Sequence, residues 1–309
     1  MTDPASHVLT LVADPAAYPL TPALLARVRD AVGGGVPDIL AEGEAADIPL
    51  PVRPPGEPED GAAPPDPARD VGALARAALA GAPVDALVLP AAGRRKRLLI
   101  ADMDSTIVTG ETLDELADFA GLKAEIAAIT ARSMNGEIDF ATALRERVAM
   151  LKGLDIAALE ATWARVRLTS GAAELVATMR AHGAMTALVS GGFTFFTGRV
   201  AALVGFDLHR SNVLEHDGSV LTGTVAAPIL DRDAKRTTLL ALCAEHGLAL
   251  AETMAVGDGA NDLAMLAEAG LGVAFHAKPV VAATARARVD HTGLRALLFA
   301  QGYRAGEIV

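Results

Sequence analysis

A short apolar run that ends in two carboxylates constrains this chain more than any other feature. Leu98, Leu99 and Ile100 form a run typical of a strand buried on both faces of a parallel sheet. Asp102 and Asp104 follow it. Side chains two residues apart in extended backbone point the same way, so both carboxylates can face one cleft. Two carboxylates this close repel each other unless their protonation states differ or a cation binds both. Enzymes use such a pair when one carboxylate acts as a nucleophile and the other transfers a proton.

Two other interpretations fit the Asp-x-Asp-x-Thr pattern of residues 102–106. A calcium-binding loop needs glycine at its sixth position and glutamate at its twelfth. Those positions hold Ile107 and Leu113, which excludes the calcium loop. The second interpretation, a polar turn between a strand and a helix, agrees with these residues, and only the rest of the chain distinguishes it from a catalytic site.

Size and charge exclude several classes of protein. The chain has 309 residues, enough for two domains, and 51% of them are hydrophobic. A formal net charge of -11 argues against a nucleic-acid partner, because nucleic-acid-binding proteins normally present a basic face. An anionic substrate must therefore be held by local cations. The single cysteine, Cys243, rules out an intrachain disulfide and fits a reducing compartment.

The sequence predicts a soluble, cytoplasmic protein with no membrane partner. Its first residues, Met-Thr-Asp-Pro-Ala-Ser-His, lack the basic start and apolar core of a signal peptide. Residues 183–198 form the longest uncharged stretch near a hydrophobic centre, but they contain a Ser-Gly-Gly turn and are too short to span a bilayer.

Residues 1–93 are predicted to form a small α+β module. Strands are expected at residues 7–13 and 84–89, and helices at residues 21–32 and 71–80. Residues 51–70 hold seven prolines and two glycines, which indicates a loop. The Arg-Arg-Lys-Arg run at residues 94–97 is predicted to be a solvated junction.

Residues 94–309 show the alternation of strands and helices that is typical of a doubly wound parallel α/β sheet. Besides the strand before Asp102, strands are expected at residues 185–189, 253–256 and 271–275. The stretch at about residues 112–170 is all helical and is predicted to be a cap inserted after the first strand, beginning with a capping box at Thr112–Glu115. Asp217-Gly218 predicts a hairpin.

In a parallel sheet of this kind, the active site lies at the carboxyl ends of the strands. Three such ends carry polar residues: Asp102 and Asp104, Ser190-Gly191, and Asp258 with Asn261. The polar turn at residues 102–106 is therefore interpreted as part of a catalytic site.

Four sequence elements in this order resemble the haloacid-dehalogenase-like phosphatases. They are Asp102-Met-Asp-Ser-Thr106, Ser190-Gly-Gly192, Lys235 and Gly257-Asp-Gly-Ala-Asn-Asp262. Within that superfamily, the chain is most similar to the phosphoserine phosphatases, through Glu111, Met134-Asn-Gly-Glu-Ile-Asp-Phe140 and Arg145-Glu-Arg147 in the insert. The similarity covers roughly residues 97–300.

The resemblance implies roles for the acidic residues. Asp102 would attack phosphorus and become an aspartyl phosphate. Asp104 would protonate the departing seryl oxygen and later take a proton from the hydrolytic water. Side-chain oxygens of Asp102 and Asp258 and the backbone carbonyl of Asp104 would bind one Mg²⁺ ion. Asp262 is expected to orient groups near Asp258.

The resemblance also implies how the phosphate is bound. Ser190, the Gly191 amide and Lys235 would donate hydrogen bonds to the phosphoryl oxygens. Asn261 belongs to the same substrate-binding set.

The insert would recognise the amino-acid part of the substrate. Glu111 would bind its ammonium and Arg147 its carboxylate, while Met134 and Phe140 would wall the pocket. Two alternatives stay open: Glu111 as an acid that stabilises a helix start, and Arg147 as a solvated residue of the kind expected for Arg145. Two more acids of the insert, Asp114 and Asp118, are predicted to lie on the surface.

The predicted activity is Mg²⁺-dependent hydrolysis of O-phospho-L-serine to L-serine and phosphate. Phosphotransfer to an acceptor such as homoserine and a non-catalytic amino-acid sensor stay open as alternatives. The N-terminal module resembles a shortened amino-acid-binding regulatory domain, through which a homodimer could form. Because every assigned residue lies at or after Asp102, residues 1–93 are predicted to be dispensable for chemistry.

Overall fold

The computed structural model describes residues 6–50, 67–134 and 137–309. Residues 51–66 of the predicted proline-rich loop and residues 135–136 of the insert motif lie outside the described residues. Within those three ranges, no helix is both long enough and apolar enough to cross a membrane.

The N-terminal module is an antiparallel sheet with two helices packed on one face. Its elements are β1 (His7–Ala13), α1 (Pro22–Val32), β2 (Asp38–Ala41), β3 (Ala45–Leu50), α2 (Pro67–Leu79) and β4 (Val84–Pro90). The strand order is β2-β3-β1-β4. Thr21 caps α1 and the left-handed Gly33 ends it. Sequence patterns do not predict β2 and β3, because their alanine and aspartate residues have low β-propensity.

A parallel sheet forms the centre of the larger part of the molecule. The remaining strands are β5 (Leu98–Ala101), β6 (Met185–Phe193), β7 (Leu208–Asn212), β8 (Leu214–His216), β9 (Leu221–Val225), β10 (Thr253–Gly257), β11 (Leu271–Phe275) and β12 (Ala287–Val289). Six of them pair in the order β12-β11-β10-β5-β6-β7, and every pairing is parallel. Strand β5, which precedes Asp102, therefore lies in the middle of the sheet.

Both faces of this sheet are buried, which explains why its strands are continuous apolar runs. The remaining helices are α3 (Thr112–Phe119), α4 (Lys123–Met134), α5 (Phe140–Met150), α6 (Ala157–Trp163), α7 (Ala172–Ala181), α8 (Thr194–Val204), α9 (Arg232–His246), α10 (Leu263–Glu268), α11 (Pro279–Thr284) and α12 (Ala296–Ala300). Leu98 and Ile100 pack in one hydrophobic cluster, with residues of α9 and α10. Leu99 and Ala101 pack in the other, with residues of α7, α8 and α12.

The helices α3 to α6 form the predicted insert between β5 and β6. The expected capping box at Thr112–Glu115 is wrong, because Glu111 occupies the cap position of α3 and Thr112 is already helical. The Thr112 amide instead donates a hydrogen bond to Asp104 Oδ1 at 2.9 Å. The start of the cap is therefore tied directly to a candidate catalytic residue.

The predicted hairpin, β8 and β9, packs against the insert. Gly153 N donates to Leu221 O at 2.9 Å, and Leu221 N donates to Leu154 O at 2.8 Å. This hairpin is a second connection between the cap and the sheet, because it follows directly on β7.

The N-terminal module and the parallel-sheet region share a hydrophobic core. Val8, Leu87 and Leu89 of the module belong to the same buried cluster as Leu298 and Phe299 of α12. Removing residues 1–93 would expose this apolar surface of the core. That the module is dispensable for chemistry stays a prediction. The shared hydrophobic core predicts that truncation lowers the stability of the protein.

The expected solvated junction at residues 94–97 is wrong for Arg94. This side chain is mostly buried and forms an ion pair with Asp47 of β3. It also donates to Thr10 Oγ1 at 2.9 Å, and to the carbonyl oxygens of Phe299 at 3.0 Å and Ala300 at 3.1 Å. Arg94 therefore ties the module to α12.

Replacing Arg94 with Met is expected to lower the free energy of unfolding by about 3–5 kcal/mol, because Asp47 is left buried without its charge partner. Chemical denaturation of the full-length protein measures this change. Arg95→Met is the matched control, since the Arg95–Glu307 pair is exposed and should contribute less than about 1 kcal/mol. Equal effects of the two substitutions would contradict the assignment.

Candidate active site

Three neighbouring strands of the parallel sheet end in polar residues at one edge. Asp102 follows β5, Asp258 follows β10, and Ser190 lies near the end of β6. Because β5 pairs with both β10 and β6, these ends lie side by side. All three side chains are buried. The sheet therefore brings together residues that are far apart in the chain.

Asp102, Asp258 and Asp262 form a buried acidic cluster. One oxygen of each carboxylate lies within 4.8 Å of the others. Lys235 Nζ lies 2.6 Å from Asp102 Oδ1 and 2.5 Å from Asp262 Oδ1. Asp262 Oδ2 also accepts a hydrogen bond from Gly259 N at 3.0 Å. Lys235 is thus a partner of two carboxylates as well as a candidate phosphate ligand.

The charges of the cluster influence one another strongly. Burial raises the pKa of Asp102 well above its usual value, and the Asp262 carboxylate adds to this shift while Lys235 opposes it. Burial favours the neutral form of Lys235, but Asp102 and Asp262 outweigh burial and raise the pKa of the lysine. Burial raises the pKa of Asp258 to about 6, against the effect of Lys278. Three carboxylates around one buried lysine leave an excess of negative charge that a bound cation would reduce.

Asp104 has hydrogen bonds of its own. Its Oδ1 accepts from Thr112 N at 2.9 Å, and its Oδ2 lies 3.5 Å from Ser190 Oγ. Burial, followed by the charge of Glu111, raises the pKa of Asp104 to about 7. A carboxyl group with a pKa near neutrality can both give and take a proton at physiological pH.

A tight turn, Met103–Ile107, orients the two carboxylates. Met103 N donates to Asp102 Oδ1 at 2.8 Å. Ser105 has φ +54°, in the left-handed region that few residues other than glycine adopt. Its hydroxyl donates to Glu111 Oε1 at 2.8 Å, which connects the turn to the start of the cap.

Two glycines after Ser190 permit close approach. A Cβ on Gly191 would lie 2.9 Å from Phe140 Cζ, and a Cβ on Gly192 would lie 3.0 Å from Asp104 Oδ2. Phe140, the first residue of α5, therefore packs from the cap onto the Ser-Gly-Gly turn. A small pocket opens at this contact, lined by Phe140, Val189, Ser190, Gly191, Leu230, Asp231, Ala234, Lys235 and Asn261.

Arg147 lies half-buried in the last turn of α5. Its Nε donates to Ala143 O at 3.3 Å, and its Nη1 lies 3.5 Å from Thr130 Oγ1. Burial lowers the pKa of Arg147, and the charges of Asp114 and Glu111 oppose the shift. The expected surface position of Asp114 is wrong, because this side chain is half-buried near Arg147. A half-buried cation that is influenced by two acids therefore lies in the cap.

The structure places the predicted site residues in three groups. Asp102, Asp104, Asp258, Ser190, Gly191, Lys235, Asn261 and Phe140 converge at the sheet edge. Glu111 joins them through Ser105, and Arg147 lies in the cap. Met134 is the last residue of α4, and its side chain lies outside the described part of the chain. Arg145 and Asp118 are exposed, as predicted.

Two residues at this edge are not predicted by sequence reasoning. Asn212, the last residue of β7, donates from Nδ2 to Gly191 O at 2.9 Å and accepts at Oδ1 from Leu230 N at 2.8 Å. Lys278, after β11, places Nζ 3.5 Å from Asp258 Oδ2. Both lie at or just after the carboxyl ends of parallel strands. Their position at a strand end, the same signal that identifies Asp102, could have predicted them.

The donor set of the cluster fits a divalent metal ion that prefers oxygen. Carboxylate oxygens of Asp102, Asp258 and Asp262 converge, and such ligands suit hard cations. Asp262 is bound to Lys235 and to the Gly259 amide, in agreement with an orienting role. Asp102 and Asp258 are therefore the residues best placed to hold the ion.

The parallel sheet, the cap and the buried carboxylates define a class of hydrolase. The sequence profile of the haloacid dehalogenase-like hydrolases matches residues 99–267, and the chain belongs to this family. A phosphoserine phosphatase from Polaromonas sp. (strain JS666) is 47% identical over 208 residues, which cover 65% of this chain and 88% of that protein. The predicted similarity to phosphoserine phosphatases is thereby confirmed.

Solved structures share the fold. A haloacid-dehalogenase-family hydrolase from Salmonella enterica serovar Typhi superposes with a TM-score of 0.80 at 30% identity, covering 95% of this chain and 97% of that one. A phosphoserine phosphatase solved as an analogue of its phospho-aspartyl intermediate superposes with a TM-score of 0.62 at 38% identity, covering 66% of this chain and 98% of that one. The predicted α/β fold class with a cap and an N-terminal module is confirmed.

Proposed function

We propose that this enzyme hydrolyses O-phospho-L-serine to L-serine and inorganic phosphate, with Mg²⁺ as its metal ion and an aspartyl phosphate formed on Asp102. One observation carries the proposal: Asp102 lies beside Lys235 in the acidic cluster, while Asp104, with a pKa of about 7, lies near Ser190. A candidate nucleophile and a candidate proton carrier thus each lie beside a side chain that can donate a hydrogen bond to a phosphate. The named activity of the similar proteins agrees with this chemistry.

In the first step, a carboxylate oxygen of Asp102 attacks phosphorus, and the bond from phosphorus to the seryl oxygen breaks. Asp104, protonated at this stage, gives its proton to the departing oxygen, so L-serine leaves as an alcohol. Ser190 Oγ, Gly191 N and Lys235 Nζ donate hydrogen bonds to the phosphoryl oxygens. Asp102 and Asp258 would hold the metal ion, whose positive charge would offset the negative charge of the phosphoryl group.

In the second step, water attacks the phosphorus of the aspartyl phosphate. Asp104, now a carboxylate, takes a proton from the water, and the bond from phosphorus to Asp102 breaks. Inorganic phosphate leaves, Asp102 is again a carboxylate, and Asp104 again carries the proton needed for the next cycle. A pKa of about 7 suits this alternation, because neither protonation state of Asp104 is strongly disfavoured near neutral pH.

The cap supplies charges that complement the amino-acid part of phosphoserine. Arg147 is hydrogen-bonded to the neutral oxygens of Ala143 and Thr130, so its planar cation can pair with a substrate carboxylate. Glu111, beside the Ser105 turn, can pair with the substrate ammonium. Phe140 lines the pocket on the side of the cap and would limit the access of water.

Phosphate release from a panel of phosphomonoesters tests the proposal. L-phosphoserine should be preferred over phosphoethanolamine, which lacks the carboxylate, and over phospholactate, which lacks the ammonium. The same assay with homoserine distinguishes hydrolysis from phosphotransfer, since a transferase would form phosphohomoserine in place of inorganic phosphate. Equal rates on all monoesters would contradict the proposed substrate.

Arg147→Ala is expected to raise the KM for phosphoserine and to lower kcat/KM by about 30-fold or more, equivalent to about 2 kcal/mol or more. A plain aryl phosphate has no carboxylate, so its hydrolysis should change by less than about threefold. Arg145→Ala is the matched control, since Arg145 lies on the same helix with an exposed side chain. Equal losses on both substrates would show that Arg147 serves the phosphate or the fold.

Mg²⁺ is expected to stabilise the protein more at about pH 7.5 than at about pH 5.5. Burial raises the pKa of Asp104 to about 7 and that of Asp258 to about 6, from a usual 3.8. The folded state therefore takes up protons, and the stability that these two groups contribute at acid pH is lost as the pH rises from about 4 to 7. A cation held by the Asp258 carboxylate competes with the proton on that group.

Thermal unfolding with EDTA or Mg²⁺ at both pH values measures the effect. The rise in Tm caused by Mg²⁺ should be larger at the higher pH by about 1–2 °C, equivalent to about 1 kcal/mol. Asp258→Asn should remove most of the dependence on Mg²⁺. A Mg²⁺ effect that is independent of pH would contradict the assignment of the Asp258 carboxylate to the metal site.

A cytoplasmic location is part of the same proposal, supported by the single free cysteine, Cys243, which suits a reducing compartment. The homodimer and the division of the chain at about residue 93 stay predictions. Sedimentation of the full-length protein and limited proteolysis would test them.

A further inference from the structure

Asp85, on β4 of the N-terminal module, binds the main chain of the loop that follows β12. Its Oδ1 accepts from Asp290 N at 2.7 Å and from His291 N at 3.1 Å. Its Oδ2 accepts from Thr292 N at 2.9 Å and from Thr292 Oγ1 at 2.6 Å. The Asp85 side chain is buried. Three amides and one hydroxyl therefore fix this loop to the module through a single carboxylate.

The loop after β12 in turn binds the loop after β11. His276 Nε2 lies 2.8 Å from Thr292 O, and His276 N donates to Val289 O at 2.8 Å. His276 has φ +42°, a conformation that costs free energy in residues other than glycine. Such a conformation persists only when surrounding contacts hold it. The position of His276 thus depends on the loop that Asp85 fixes.

Two residues beyond His276, Lys278 makes two contacts with Asp258 of the acidic cluster. Lys278 N donates to Asp258 O at 3.1 Å, and Lys278 Nζ lies 3.5 Å from Asp258 Oδ2. The first contact fixes the main chain of Asp258 and the second directs its carboxylate. Groups that hydrogen-bond to a metal-binding residue without contacting the metal set the orientation of that residue and tune its affinity for the ion.

We propose that Asp85 is a positioning residue for the metal site, acting through Thr292, His276 and Lys278 on Asp258. The inference rests on the proposed metal-dependent function and extends it, because it makes the N-terminal module part of the support of the site. The physical coupling consists of hydrogen bonds between Asp85 and Thr292, between Thr292 and His276 and between Lys278 and Asp258, with the main chain of residues 276–278 joining the last two. It assigns the module a role in metal affinity while leaving substrate recognition to the cap.

Isothermal titration of Mg²⁺ into the metal-free, full-length protein tests the proposal without relying on activity. Asp85→Asn replaces an acceptor-only group by an amide that presents a donor to the loop, and it should raise the Kd for Mg²⁺ by about threefold to tenfold. Glu44→Gln is the matched control. Glu44 also joins the module to the core, through a 2.7 Å pair with Arg295 at the start of α12, but it is not the acceptor for the amides of Asp290, His291 and Thr292 that Asp85 binds. Its Kd should stay within about twofold of the wild type.

A second variant keeps the test decisive if Asp85→Asn does not fold. His276→Asn retains a residue type that tolerates positive φ but is too short to reach Thr292 O. It should raise the Kd for Mg²⁺ about as much as Asp85→Asn. At saturating Mg²⁺, the KM for phosphoserine should stay within about twofold for all three variants, because the substrate-binding residues are untouched.

The outcomes separate this inference from the proposed function. A wild type that binds no Mg²⁺ would overturn the metal-dependent function and this inference with it. If the wild type binds Mg²⁺ and either a folded Asp85→Asn variant or the His276→Asn variant binds it with unchanged affinity, the inference alone would be overturned. Equal losses in Asp85→Asn and Glu44→Gln would also overturn it, because they would indicate a general effect of the module on stability.

Discussion

The Asp102→Asn variant is expected to lose at least about 10⁴-fold in kcat for phosphoserine and to form no covalent phosphoenzyme. An amide oxygen is a poor nucleophile toward phosphorus, and the change also removes a carboxylate oxygen from the proposed metal site. The fold should persist, because asparagine has nearly the same shape and can still accept the hydrogen bond from Met103 N. Phosphate release and acid-quenched labelling with ³²P-phosphoserine measure the two effects.

Asp104→Asn provides the comparison for this experiment. With phosphoserine, both steps should slow, because the leaving group and the water each need a proton carrier. With an aryl phosphate, whose leaving group needs no proton, phosphorylation of Asp102 should continue and the phosphoenzyme should accumulate. Residual turnover of Asp102→Asn above a trace, after repurification to exclude deamidation, would show that another residue is the nucleophile.

Lys235→Met is expected to lower both activity and stability by large amounts. The substitution leaves Asp102 and Asp262 buried beside Asp258 without the cation that bridges them, which should cost about 3–5 kcal/mol in the free energy of unfolding of the metal-free protein. It also removes a donor to the phosphoryl oxygens, which should lower kcat by about 10²–10³-fold. Denaturation in EDTA and steady-state kinetics in Mg²⁺ measure the two losses separately.

A double variant separates the two roles of Lys235. Adding Asp262→Asn to Lys235→Met removes one of the stranded carboxylates, so much of the lost stability should return. Activity should not return, because the phosphate still lacks its cation. Recovery of both properties would mean that Lys235 acts only on the fold. Recovery of neither would mean that the stranded Asp262 carboxylate is not the cause of the lost stability.

The sequence alone determined the class of the sheet and singled out the candidate residues that lie at its carboxyl edge. The apolar run at residues 98–100 predicts a strand buried on both faces, and β5 lies in the middle of the parallel sheet. Asp102, Ser190 and Asp258 are recognisable because polar residues at the ends of such strands have few structural reasons to be there. These signals are local, since they depend on side-chain periodicity and on short fixed spacings.

Only the tertiary structure decided which charges meet. Lys235 and Asp262 are 27 residues apart, and their pairing depends on the packing of α9 against the turn after β10. Arg94 belongs to a basic run that suggests solvent exposure, yet it is buried against Asp47 because the module and α12 enclose it. Asp85 shows no signal in its own strand, and its role arises from a loop more than 200 residues later. Burial and long-range pairing depend on how separate elements pack, and no local pattern encodes that packing.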